Sequence, residues 1–143
     1  MKVLVDINVL LDVLLDREGL APASKRVLVA VEGGRLAGAV SATAVTTVHY
    51  LVARERGAQA AIAAVRKLLV LFEIAPVHRA VLGSALDLGF SDYEDAVTHE
   101  AARRAGATAI VTRNVRHFRN AELAVFSPEE LLGALEAAKE QAG

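Results

Sequence analysis

The feature that most restricts how this chain can fold is a set of five short apolar runs, at residues 3–5, 36–40, 72–75, 108–112 and 123–126. Runs this short, rich in Val, Ile, Leu and Ala, suit strands buried on both faces better than helices. The stretches between them have helical character. Residues 9–15 are too densely apolar for a half-exposed strand. Pro22 opens a second helix, where a first-turn proline is tolerated, and Gly33-Gly34 closes it. Helices are expected over 41–56 and 58–71, divided at Gly57, over 77–88, and over 92–104 before Gly106. Ser91-Asp92-Tyr93-Glu94 has the form of a capping box, and Ser127-Pro128-Glu129-Glu130 begins a last helix in the same way. Strands joined through helices require crossovers. The expected fold is therefore α/β, a three-layer α/β/α sandwich with a mainly parallel central sheet. No linker, repeat or low-complexity segment divides the 143 residues, so 1–143 is expected to form one domain.

In sheets of this kind ligands bind beyond the carboxyl ends of the strands. Asp6 follows the first run directly, and Asn8, two residues on, is placed to hold its carboxylate. Asp6 also has a structural reading, as the N-cap of the following helix. Asp92 and Asp95 are three apart in one first turn and share a face. Acids there complement the helix dipole, as Glu94 does, but Asp95 precedes Ala96-Val97, and a carboxylate on a semi-buried face calls for a partner. Thr112-Arg113-Asn114 ends the fourth run; Thr and Asn are ordinary turn residues and are equally able to orient a metal-bound water.

Carboxylates crowded to about 4 Å repel by roughly 4 kcal/mol at an effective dielectric near 20, and a divalent cation relieves that repulsion. Oxygen ligands in a chain without cysteine favour Mg2+ or Mn2+, which can activate water and polarise a phosphodiester. The absence of cysteine excludes disulfides, zinc–thiolate sites and thiol catalysis, and suits a reducing cytoplasm, the expected location. The N-terminus lacks the pattern of a signal peptide and no run of about 18 apolar residues exists, so no membrane span is expected. A net charge of -1 excludes a surface that binds nucleic acid indiscriminately. Arg113, Arg116, His117 and Arg119 form a local basic group in which Arg113 and Arg116 are candidates to grip a phosphate; aromatics, at 4%, do not interleave with it.

The segments VLVDINVLLDVLLDRE and SDYEDAVTHEAARRAGATAIVTRNVRHF resemble, in order and spacing, the first-strand Asp-x-Asn motif and the second acidic helix with its Thr-Arg-Asp/Asn strand end in the PIN-domain nucleases. The resemblance covers nearly the whole chain and is nearest to bacterial members, many of them toxins of VapC type. It implies a central parallel sheet, Mg2+ or Mn2+, endonucleolytic cleavage of RNA, and an antitoxin protein as partner. It implies metal ligation by Asp6 and Asp95 with Asp92 as a further acid, and puts Asn114 where an aspartate is often found. Many members carry a glutamate near Thr46 or Thr47, where SATAVTTVHY has no acid, and His117 stands where an aspartate is common. This reduced set predicts weaker metal binding and one ion in place of two, with His49 and His117 as candidates to compensate. The apolar helices over 41–71 offer a homodimer face.

Two other readings compete. A PIN-fold module binding RNA or protein without cutting would explain the missing acids. A haloacid-dehalogenase-like phosphatase also opens with a strand-end Asp, but needs a second Asp two residues later, where this chain has Asn8, and a motif lysine it lacks.

Overall fold

In the computed structural model, which describes residues 1–142, five parallel strands form one sheet in the order β3-β2-β1-β4-β5. The strands are β1 (Lys2–Val5), β2 (Ala37–Ser41), β3 (Glu73–Ala75), β4 (Ala109–Val111) and β5 (Ala124–Phe126). Between β1 and β2 lie α1 (Ile7–Leu14) and α2 (Ala21–Glu32), and between β2 and β3 lie α3 (Ala42–Arg56) and α4 (Ala58–Leu71). From β3 to β4 the chain forms α5 (Arg79–Ala85) and α6 (Tyr93–Arg104); α7 (Pro128–Ala142) closes the fold. This is the α/β/α sandwich that the alternation of apolar runs implies.

The period of two along β1 divides the core. Val3 and Val5 point to one face, against Val9, Leu10, Val27, Val48, Leu68 and Leu131. Leu4 and Ile110 point to the other, against α5, α6 and Phe118. A strand buried on both faces must be apolar throughout, which is why β1 reads as a continuous run. Gly38 of β2 is demanded by packing: a Cβ there would lie 2.8 Å from two ring carbons of Phe72 and 2.9 Å from Val31.

The last helix starts with the expected capping box, Ser127 and Glu130 exchanging backbone–side-chain hydrogen bonds of 2.8 and 3.1 Å. At α6 the expected box is displaced by one residue. Asp92 is the cap, its Oδ1 accepting the Asp95 N–H at 3.1 Å, and Glu94 does not reach back to Ser91. The expected 77–88 helix is shorter, because the chain stays extended through His78 and turns after Ala85. Tyr50, Ile62, Leu69 and Val70 remain exposed on α3 and α4, where an apolar surplus was expected. Among the described residues no helix is long and apolar enough to cross a membrane.

The strand order places β1 between β2 and β4. The chain first winds outward through β2 and β3, then returns to the other side of β1 for β4 and β5. The carboxyl ends of β1 and β4 therefore border the crevice where the winding reverses, the usual ligand position in open parallel sheets.

Candidate metal centre at the reversal of the sheet

Asp6 continues β1 by one residue, its N–H donating to the Val111 carbonyl of β4 at 3.0 Å. It stands at the N-cap of α1, but its side chain makes no capping bond. Instead Oδ2 accepts a 2.9 Å hydrogen bond from the Thr112 hydroxyl, which in turn accepts the Asn114 N–H at 3.0 Å. One buried threonine thus fixes the Asp6 carboxylate and the turn carrying Asn114. Burial raises the Asp6 pKa; the Thr112 bond, the Ile7 N–H, Arg113 and His117 pull it back without cancelling the rise.

Asp6 opens onto a cavity of about 170 Å3 walled by Asn8 of α1, Thr43 and Ala44 of α3, Asp92, Glu94, Asp95 and Thr98 at α6, and Asn114 and His117 beyond β4. Six of the ten residues expected at the site therefore meet in one cavity: Asp6, Asn8, Asp92, Asp95, Asn114 and His117, whereas His49 lies outside it. Asp92 combines two roles, capping α6 and facing the cavity. Thr112 stands behind the wall, fully buried. Arg116 is exposed on the one-turn 3-10 helix Val115–Phe118 and does not line the cavity.

Arg113 is placed elsewhere. Its Nε lies 2.7 Å from Oδ2 of Asp12, in an ionic contact without hydrogen-bond alignment, and it lines a separate groove with Leu20, Ser24 and the start of α7. Asp12, missed in the sequence, is completely buried, and Ser24 Oγ donates to it at 3.0 Å. Its position in VLLDVLLD, six residues after Asp6, gave no sign of this, because a helical acid reads as solvent-facing. Thr43 and Thr98 were also missed; only the tertiary fold brings them to the cavity.

Asp95 is the most unusual group. Its side chain is 17% exposed, and Oδ2 is buried with no hydrogen-bond partner. Burial, then Asp92, Asp6 and Glu94 raise its pKa to about 6, against the pull of His117, whose Nδ1 stands 3.4 Å from Oδ2. An orphaned carboxylate oxygen among other acids is the environment a cation would relieve. The other donors are carboxylate, amide and hydroxyl oxygens, with one imidazole. Among the described residues no three His, Asp or Glu side chains converge closely enough to enclose an ion alone. That suits a hard cation which keeps several waters and takes only one or two carboxylates, as Mg2+ does. The residues fit such an ion.

The solved structures that resemble the chain share its fold across most of their length. The VapBC2 complex of Rickettsia felis bound to promoter DNA has a TM-score of 0.70 at 14% identity, over 89% of this chain and 98% of that one. FitAcB of Neisseria gonorrhoeae gives 0.67 at 20%, over 89% and 98%. VapC20 of Mycobacterium tuberculosis, described as a sarcin-ricin loop cleaving toxin, gives 0.62 at 15%, over 76% and 86%. No curated protein matches the chain in sequence. A family model described as a PIN domain matches residues 2–116, from β1 past the turn after β4, and the chain belongs to the PIN-domain family.

Proposed function

We propose that this PIN domain is an Mg2+- or Mn2+-dependent endoribonuclease and the toxin of a toxin–antitoxin pair. The observation that carries the reading is the buried, unpartnered Oδ2 of Asp95, in a cavity that also receives Asp6 and Asp92. The toxin role draws on the similar complexes, VapBC2 and FitAcB, and the RNA substrate on the description of VapC20.

Asp6 and Asp95 would hold the cation, with Asp92 as the further nearby acid; the cation would supply Lewis acidity toward a phosphodiester and neutralise the crowded carboxylates. The protein's own groups do the rest. Thr112 fixes the Asp6 carboxylate by binding its Oδ2 from behind the wall, so that no rotamer search precedes binding. Asn8 and Asn114 line the same space, and a side-chain amide there can donate to phosphate oxygens or orient the attacking water. Arg116 and Arg119, exposed on either side of His117 along the chain, can hold flanking phosphates.

A second reading, binding without cleavage, is favoured by the walls that lack acids: α3 contributes only Thr43 and Ala44, and the β4 turn contributes a neutral Asn114. Membership of the PIN family sets aside the phosphatase. Purified protein incubated with RNA in Mn2+ or in EDTA separates the remaining two. Cleavage in Mn2+ that falls on the order of a hundredfold or more in both Asp6→Asn and Asp95→Asn supports the nuclease. RNA retained but uncut by the wild type supports the binding module, and cleavage surviving both substitutions overturns the site.

A further inference from the structure

Among the described residues His117 is the one imidazole in a cavity otherwise walled by carboxylate, amide and hydroxyl side chains with Ile7 and Ala44. Its position is set by its neighbours. The 3-10 helix Val115–Phe118 starts at Asn114, whose carbonyl accepts the His117 N–H at 2.9 Å. Phe118 anchors the far end in the core, edge-on to Phe90 with ring centroids 5.9 Å apart. Between these fixed points the His117 side chain, 55% exposed, lines the cavity, and among the described residues its ionic contact is with Asp95 Oδ2. That 3.4 Å contact does not satisfy Oδ2 as a hydrogen bond.

The separation has a second meaning. Two ligands bound to one cation at about 2.1 Å lie roughly 3 Å apart at a right angle and somewhat farther apart at wider angles. The 3.4 Å between Nδ1 and Oδ2 falls where adjacent ligands of one ion would stand. Resting on the metal-dependent reading above, we infer that His117 is a metal ligand: its Nδ1 and Asp95 Oδ2 form a mixed nitrogen–oxygen pair, with Asp6 and Asp92 adding charge from the facing walls. The imidazole supplies a donor where α3 supplies no acid, and it adds no negative charge to a site that already repels itself. It also changes preference, because imidazole favours later first-row ions while Mg2+ takes oxygen. The pair should therefore strengthen binding of Mn2+, Co2+ or Ni2+ relative to Mg2+, which the oxygen donors alone suit.

The other histidines do not compete for this role. Both ring nitrogens of His99 are engaged, Nδ1 with Glu100 and Nε2 with the Glu122 N–H, and His49 and His78 lie outside the cavity.

The test is pulsed EPR on untagged protein loaded with Mn2+ in an amine-free buffer, which reads directly bound 14N without any assay of cleavage. Wild type is expected to show the imidazole 14N coupling. His117→Asn, at a half-exposed position that folding does not need, is expected to lose the coupling and bind Ni2+ on the order of tenfold more weakly, with a smaller change for Mg2+. His117→Asp is expected to regain Mg2+ binding without regaining the coupling, a pattern that a purely structural role would not give. Mn2+ bound by wild type without 14N coupling, or coupling that persists in His117→Asn, overturns the assignment while leaving the metal site intact. Mn2+ binding that is absent, or indifferent to both Asp6→Asn and Asp95→Asn, overturns the metal-dependent reading itself.

Discussion

Asp95 is ionised at neutral pH only against its surroundings: burial first, then the charges of Asp92 and Asp6, hold its pKa near 6. The folded protein therefore binds this proton more tightly than the unfolded chain, where the value is 3.8. Between those values the native state carries the extra proton, so stability falls as pH rises toward 6. Asp6, also raised by burial, acts in the same direction. Glu100 opposes them. The Arg103 hydrogen bonds hold it down to about 2 from 4.5, so its stabilisation is present above 4.5 and is lost as the pH drops toward 2. Together they place the stability maximum of the metal-free protein at about pH 4. Thermal unfolding in EDTA across pH 3 to 8 should show it. Asp95→Asn should flatten the limb between about pH 4 and 6 and stabilise the protein at pH 7 by about 1 kcal/mol, a figure discounted for partial solvent exposure. A wild-type Tm that keeps rising from pH 5 to 7 in EDTA would refute this account. The same residues show where the sequence stops being readable. Asp6 and Asp92 are both N-cap aspartates, yet only Asp92 caps; Asp6 is claimed by Thr112, 106 residues away. Local pattern carries no information about such a partner.

At the scale of elements, α1, α2 and the turn after β4 meet at Asp12. Ser24 from α2 and Arg113 from the turn both reach its Oδ2, and Arg17 stands 3.5 Å from Oδ1. Removing one partner of a buried pair is costly because the other charge is stranded, and the two partners here are stranded differently. Asp12 has no exposed surface, whereas the Arg113 side chain is 26% exposed and can find water. Arg113→Ala should therefore destabilise by about 3 kcal/mol, the low end for a buried pair because Ser24 and Arg17 still face Asp12, and Asp12→Ala by about 2 kcal/mol, in urea unfolding. An Arg113→Ala protein of normal stability but weakened RNA binding would instead return Arg113 to its expected role as a phosphate ligand. The elements themselves were legible because buried parallel strands must be apolar and glycines and prolines mark the helix ends, so boundaries agree within a few residues. The 3-10 helix was not. Val115-Arg116-His117-Phe118 has no period, and what fixes it is Phe118 entering the core.

At the scale of the whole molecule, the net charge of -1 and the withdrawal of Arg113 leave the cavity with few cations. Arg116 and Arg119 are exposed on the segment that carries His117, whereas Arg54, Arg56, Arg66 and Lys67 lie on α3 and α4. If RNA enters at the carboxyl ends of β1 and β4, about two phosphates are neutralised. Each displaced counterion contributes roughly -0.7 to the slope of log affinity against log salt for a single strand, so the slope should be about -1.4. Fluorescence anisotropy with a labelled single-stranded RNA in EDTA, across a salt series, measures it without cleavage. Replacing Arg116 and Arg119 together by Ala should bring the slope close to zero and leave the Mn2+ EPR spectrum unchanged, since neither arginine lines the cavity. A wild-type slope of about -3 or steeper would require more cations than this end of the sheet exposes. RNA would then lie along α3 and α4, and the reversal point would bind the cation while the substrate was gripped elsewhere.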